Sequence, residues 1–351
     1  PYIILVRNWV DDFVVLAKFG SLTKEEATKL VDEHYASFGI PLSAKKRRPW
    51  SQIARFQGLD WYIKDKMVAL PEEKRIKAIK RIETALERND KSWMDATTVE
   101  ELSGYLSHIA FVVNNGRFRL VSLFKFARAF EFKPWLKLHL TDEIKDDLTW
   151  WLQTLRAAAP QTPLPSLETP ALTLPILHRS LVAPFETLKT EIYVDASDTA
   201  VGFVIGRQHC SWPLKSTWRS DGSNIDVPEA AALELALLFL FDSSPNLRNI
   251  TIRVNSDNSV VQKGWKSRRS NSAKVNRTLS RIHDLVGNFE CSLQVEYVPS
   301  SLNKADLVSR GGDPLNSTRV FPTWDVMELP RELDEIVVFT SRERKHREKK
   351  F

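Results

Sequence analysis

The sequence predicts an α/β protein, α+β in its first half and, in its second, a mixed five-stranded sheet covered by helices. Three observations predict it. Short β-rich runs alternate with helical-period segments across residues 190–312. Four acids, Asp195, Glu229, Asp257 and Asp306, each stand where that pattern switches between strand and helix. Six prolines between Pro160 and Pro184, with no helical period among them, set this half apart from a first half of short strands followed by helices.

The elements follow in order. Tyr2–Val6 and Phe13–Leu16 are β-rich runs joined through Trp9-Val10-Asp11-Asp12, a hairpin with two acids at or near its tip. Thr23 and Glu26 form a capping box for a helix whose inner face would be Ala27, Leu30, Val31, His34, Tyr35 and Phe38, stopped by Gly39. Phe56 to Ile63 reads as a short strand pair. Pro71 opens a helix with Ile76, Ile79, Ile82 and Leu86 inside and Lys74, Lys77, Lys80, Arg81 and Arg88 outside. Helices are expected at about 99–112, capped by Thr98 and Glu101, at 120–130, and at 142–156 with Ile144, Leu148, Trp151, Leu152 and Leu155 on one face. In the second half, strands are expected at 190–195, 201–206, 210–214, 250–256 and 293–298. Helices are expected at 228–241, 259–266 and 273–286, with a short one near Asn303. The expected domains are 1–70, a helical 71–156, a linker 157–189, the sheet domain 190–312, and a C-terminal extension with a basic tail, 313–351.

Bulk properties limit the function classes. With 43% hydrophobic and 27% charged residues, the 351-residue chain has the composition of a soluble globular protein. No window approaches the roughly 18 apolar residues of a membrane span. Cys210 and Cys291 make neither a disulfide framework nor a paired metal motif, so an intracellular, reducing setting is expected. The six histidines from His34 to His283 show no ligand spacing and read as packing or surface residues. The chain opens on Pro1 and runs straight into a strand, as a piece of something longer would. A net charge of +6 permits a polyanionic partner. Lys263, Lys266, Arg268 and Arg269 surround Trp265 beside the acids, a patch suited to nucleic acid, with Trp265 itself expected in the core. Lys74, Lys77 and Arg81 would lie along duplex phosphate.

Asp195 follows Ile192-Tyr193-Val194, and Asp257 follows Val254-Asn255-Ser256, so two strands carry carboxylates to one sheet edge. Glu229 sits in the first turn behind Pro228, where the helix dipole favours a negative charge. Glu234 lies five residues on, about 140° round the helix, so one of the two glutamates can face the same point. Four such carboxylates can hold two Mg²⁺ ions about 4 Å apart for phosphodiester chemistry, with Mn²⁺ as the alternative.

Tyr193-Val194-Asp195-Ala196-Ser197, Val227-Pro228-Glu229-Ala230-Ala231-Ala232, Asn255-Ser256-Asp257-Asn258 and the run from Val298 to Arg310 resemble the four motifs of retroelement ribonuclease H domains. That resemblance implies a ribonuclease H-like sheet, cleavage of the RNA strand of RNA:DNA hybrids, and Asp195, Glu229, Asp257 and Asp306 as metal ligands; Glu229 fits the motif better than Glu234. The family often carries a mobile His before the last Asp. Pro299 to Lys304 has none, which implies slower turnover or another proton shuttle.

The Trp9 to Asp12 hairpin resembles the catalytic hairpin of reverse transcriptases, Phe56 to Trp61 the primer-grip turn, and Leu70 to Arg75 the entry to a thumb helix. The chain is thus similar to the C-terminal part of a retrotransposon reverse transcriptase and ribonuclease H polyprotein of the DIRS-like kind. This implies a partial polymerase palm over 1–70 and a helical thumb and connection over 71–156. Asp11 and Asp12 are then remnant polymerase metal ligands, and the fingers and a further Asp would come from an upstream segment or a partner, so no independent DNA synthesis is expected. The competing reading is a non-catalytic nucleic-acid-binding or scaffold protein derived from a retroelement.

Overall fold

A computed structural model describes residues 4–9, 12–17, 22–43, 45, 47–63, 67–91, 93–113, 115–157, 178–180, 186–219, 225–322, 324 and 329–340. The chain divides into two units, residues 1–77 with 158–181, and residues 78–157 with 182–351.

In the first unit, β1 (Ile4–Trp9) and β2 (Asp12–Ala17) form the expected hairpin, with Trp9 opposite Asp12. Helix α1 (Lys24–Ser37) opens on the expected capping box: Glu26 N donates to Thr23 Oγ1 at 3.2 Å and Thr23 N to the Glu26 carboxylate at 2.8 Å. Its predicted inner face is corrected. Ala27 is buried, but Leu30 is 39% and Phe38 68% exposed. The helix is instead held along a neighbouring flank, where Trp50 Nε1 donates to Thr28 and Arg47 pairs with Asp32.

Strands β3 (Ile53–Phe56) and β4 (Leu59–Tyr62) pair across Gln57 (φ 51°) and Gly58 (φ 67°). Two successive positive φ values make this a tight hairpin turn of the kind that matches strand twist. Strand β5 (Met67–Ala69) continues the sheet and leads into α2 (Glu72–Lys91). The buried line of α2 runs through Arg75, Ala78, Ile82 and Ala85, while Ile76 is 55% exposed. This corrects the expected stripe. Arg75 takes an inward position because Glu72, one turn back, receives its guanidinium through Nε at 2.8 Å and Nη2 at 2.5 Å. A fourth strand, β6 (His178–Ser180), pairs with β5 from within the proline-rich stretch expected to be irregular. Three residues suffice for ladder bonds, whereas a period cannot be read from them.

In the second unit, α3 (Ala96–Ile109) is capped by Asp95, whose Oδ1 accepts from Thr98 N at 2.8 Å. The cap therefore lies three residues before the expected Thr98, and the extra turn buries Ala96. Helices α4 (Val121–Arg128) and α5 (Asp142–Ala157) follow, with Ile144, Leu148, Trp151 and Leu155 of α5 buried as expected and Leu152 half-buried.

The sheet begins at β7 (Glu186–Thr187) and continues with β8 (Ile192–Ala196), β9 (Ala200–Ile205) and β10 (Gln208–Pro213). A short α6 (Ser216–Arg219) precedes the long α7 (Asp226–Ser243). Then come β11 (Ile250–Ser256), α8 (Ser259–Ser267), α9 (Ala273–Asn288), β12 (Ser292–Tyr297), α10 (Asp306–Ser309) and β13 (Thr318–Arg319). The order is β12-β11-β8-β9-β10-β13, with β7 also on β11. β11 is parallel to β12 and β8, whereas β9 is antiparallel to β8 and β10. The five predicted strands are the mixed sheet expected for a ribonuclease H-like fold. The two-residue β7 and β13 enlarge it at positions too short to show a period.

Helix α7 is buried from Val227 to Phe241 and, apart from Glu229 and Glu234, is apolar all round this stretch, as a helix at the centre of a core should be. Helix α9 carries the helical segment on its outer side. Asn276 Nδ2 donates to Phe118 O at 2.5 Å, and Asn115 Nδ2 to Ser280 O and Asp284 at 3.1 and 2.8 Å. At the opposite edge, buried His209 on β10 shares 2.8 Å hydrogen bonds with Asp313 and Ser317. Beyond them Trp324, Leu333, Ile336, Val337 and Phe339 enter the sheet's core.

Candidate metal centre

Asp195 occupies the penultimate position of β8, opposite Gly202 on β9. A Cβ on Gly202 would stand 2.9 Å from Val308 Cγ1 and 3.1 Å from Ser309 N. Glycine is required because α10 crosses β9 at this point, and that crossing brings Ser309 to Asp195. Asp257 follows the last residue of β11 and precedes Asn258, whose Oδ1 caps α8 by accepting from Val260 N and Val261 N at 2.9 and 3.0 Å. Glu229 projects from the first turn of α7.

One carboxylate oxygen from each of Asp195, Glu229 and Asp257 lies within 4.8 Å of the others. Asp195 and Glu229 are buried, 3% and 5% exposed. Burial, reinforced by the charges of Asp195 and Asp257, pushes the Glu229 carboxyl up to about 9. Burial and the Asp257 charge raise Asp195 to about 7, against a lowering hydrogen bond from Ser309. Glu229 Oε2 is buried without a hydrogen-bond partner. A buried carboxylate oxygen left unpaired costs free energy, and a hard divalent cation among three carboxylates would satisfy it. The residues present fit such an ion.

Neutral groups hold two of the acids. Ser309 Oγ donates to Asp195 Oδ2, and Ser300 Oγ to Asp257 Oδ2. Asn303 Nδ2 lies 3.2 Å from Asp195 Oδ1 and 3.3 Å from Asp257 Oδ1. All three lie in the run from Val298 to Arg310, but residue type alone gave them no role. An Asn or Ser in a turn ordinarily satisfies the local backbone.

Geometry separates Glu229 from Glu234, since of the two it is Glu229 that lies with Asp195 and Asp257. Glu234 is wholly buried on another side of α7 and accepts from Arg281 Nε and Nη2, each at 2.7 Å. Asp306 lies outside the group of three. Its carboxylate accepts from Arg310 Nε and Nη2 at 3.0 to 3.2 Å, one turn along the chain. Three of the four expected acids are thus brought together, with Asp306 paired to Arg310.

Of the predicted cationic residues, Lys263, Lys266 and Arg269 are exposed and Arg268 is half-buried. Trp265, expected in the core, is half-buried and packs against it, its Nε1 donating to Leu293 O at 2.9 Å. Lys74 is half-buried and Lys77 exposed, whereas Arg81 lies over the Tyr105 ring at 4.6 Å. Asp11 lies outside the described residues, and Asp12 begins β2.

Among the described residues, no helix is long and apolar enough to cross a membrane. No family model matches the chain, and no curated protein does. Among solved structures, the RNase H1 of the halophilic archaeon Halobacterium salinarum is 21% identical over 33% of this chain and 89% of its own, with a TM-score of 0.27. A foamy viral protease-reverse transcriptase solved with double-stranded DNA is 12% identical over 84% of this chain, with a TM-score of 0.36. A foamy viral protease-reverse transcriptase solved with an RNA/DNA hybrid is 15% identical over 93%, with a TM-score of 0.34. The chain spans 46% and 38% of those two foamy viral chains, less than half of each.

Proposed function

We propose that this chain is a ribonuclease H that cleaves the RNA strand of RNA:DNA hybrids, with Asp195, Glu229 and Asp257 holding Mg²⁺ and Asp306 completing a two-ion site. The observation that carries the reading is the convergence of three carboxylates from β8, α7 and the end of β11, two of them buried, with one buried oxygen unsatisfied. When bound, divalent ions at such a site supply an activated water and offset charge on the phosphodiester. Mn²⁺ would serve the same oxygen donors.

The protein's own contribution is orientation. Strand ladders fix the depth of Asp195, the α8 cap fixes the approach of Asp257, and α7 delivers Glu229 from the opposite side. Asp306 is one exposed ion pair away from joining them, and solvent screening keeps such a pair weak. Lys263, Lys266, Arg268 and Arg269 are assigned to hybrid phosphates. Lys74, Lys77 and Arg81 are assigned to duplex phosphate, with Arg81 limited by its stacking on Tyr105. The motif resemblance supports an origin in a DIRS-like retrotransposon reverse transcriptase acting inside the cell, with the rest of the polymerase on an upstream segment or partner. Asp11 and Asp12 would be the part of its metal site carried here.

The test is cleavage of an end-labelled RNA:DNA hybrid in Mg²⁺, in Mn²⁺ and in EDTA, by the chain and by Asp257→Asn. Metal-dependent cuts within the RNA strand, lost in Asp257→Asn, are expected. Tight hybrid binding with no cleavage in either metal would instead select the scaffold reading.

A further inference from the structure

Asn303 is 5% exposed and sits where the last loop meets β8 and β11. Its orientation is fixed at both ends of the amide. Oδ1 accepts from Ala305 N at 3.1 Å, so Nδ2, the group with hydrogens to give, faces the acids. Nδ2 has three acceptors in reach: Val194 O at 3.0 Å, Asp195 Oδ1 at 3.2 Å and Asp257 Oδ1 at 3.3 Å. It has two hydrogens. One satisfies the carbonyl of β8, and the other lies between two carboxylates that would otherwise repel each other.

Accepting from Asn303, both Asp195 and Asp257 have one oxygen drawn to the same neutral donor. Ser309 and Ser300 hold the second oxygen of each from the other side. The two acids are thus set in fixed rotations before any cation arrives, while Glu229 receives no comparable clamp on Oε2. Hydrogen bonds that orient metal-binding carboxylates typically change metal affinity by about 10–100-fold when removed.

Resting on the metal-centre reading above, we propose that Asn303 is a positioning residue that presets Asp195 and Asp257 for a divalent cation. It touches neither substrate nor reacting atoms and acts through the carboxylates. It also has a purely local job, the bond from Ala305 N, and the test must separate the two.

Asn303→Ser does so, because a serine hydroxyl can accept from Ala305 N as a short turn motif does but cannot reach both carboxylates. Asn303→Ala removes both roles. Mg²⁺ affinity is measured by calorimetry on the full chain without nucleic acid, beside the metal-free melting temperature. Asn303→Ser is expected to melt near the parent in EDTA, to bind Mg²⁺ about 10-fold more weakly, and to regain hybrid cleavage as Mg²⁺ is raised. If the parent binds Mg²⁺ and cleaves, yet Asn303→Ser binds Mg²⁺ equally well, the positioning role is overturned and the centre stands. A parent that neither binds Mg²⁺ nor cleaves overturns both. Should Asn303→Ala fail to fold, the serine variant still reads affinity alone.

Discussion

Two regions of α7 bury a glutamate each, five residues apart, and treat them in opposite ways. In the middle of the helix Glu234 meets Arg281 through two 2.7 Å hydrogen bonds, and the guanidinium reaches on to Glu332 at 3.8 Å. At the N-terminal turn Glu229 meets two more carboxylates and leaves one oxygen unpaired. Burial raises both carboxyls, but only at Glu234 does a resident cation work against the rise. A buried charge answered from within the chain is architecture. One set among more acids is, on the proposed function, left for a cation from outside.

The largest effect is expected from Glu229→Gln set beside Glu234→Gln. On the proposed function, the first should cut hybrid cleavage by on the order of 100-fold or more, since several kcal/mol of charge stabilisation depend on the site it helps build. The second should leave turnover per folded molecule within a few-fold of the parent and register in denaturant melts. Equal losses of turnover from the two would erase the distinction.

Next in size is Arg281→Met, which strands Glu234 and should cost about 3–5 kcal/mol in chemical denaturation. Pairing it with Glu234→Met should recover most of that loss, because a well-packed apolar pair can replace a buried ion pair.

The smallest effect is on the pH dependence of stability. Folded Asp195 and Glu229 keep protons up to about 7 and 9, where the unfolded chain has already lost them near pH 4. Their contribution to stability is therefore fully present below about pH 4 and is lost as pH rises through those two values. In EDTA the melting temperature should fall between pH 6 and 9 more steeply in the parent than in Glu229→Gln, and saturating Mg²⁺ should flatten the parent's profile. A parent profile as flat in EDTA as in Mg²⁺ would remove the electrostatic case for the centre.

Much of this was readable in the sequence where chemistry and period coincide. The strand-end aspartates and the Thr23 capping box are local patterns that appear where expected, and the helix expected from Pro228 begins two residues earlier, at Asp226, with Glu229 still in its first turn. Legibility failed where tertiary context decides. The apolar beat of α1 gives a face but not its cover, so Leu30 and Phe38 stand exposed. Asp95 and Thr98 are both good caps, and burial of Ala96 favours the earlier one. Strand β6 has three residues and no period to read. In the site, residue type marked the acids but could not say that Asn303 aims its amide at two of them, nor that Asp306 turns to Arg310. The motif resemblance favoured Glu229 over Glu234, but the partner that holds Glu234, Arg281, lies 47 residues further along and could not be read from the local pattern.

The latch of His209 on Asp313 and Ser317 has a practical consequence for anyone cutting this protein down. Strand β10 is paired on its outer side by β13, and just past its end Leu214 meets Val337, with Trp324, Leu333 and Phe339 buried beyond. A fragment ending at residue 312, after the last acid motif, would keep every carboxylate of the centre. It would also bare an unpaired strand edge beside Trp212 and Leu214, which invites edge-to-edge association. The acids of the centre end at 306, but a fragment that keeps this edge covered has to run to about residue 340.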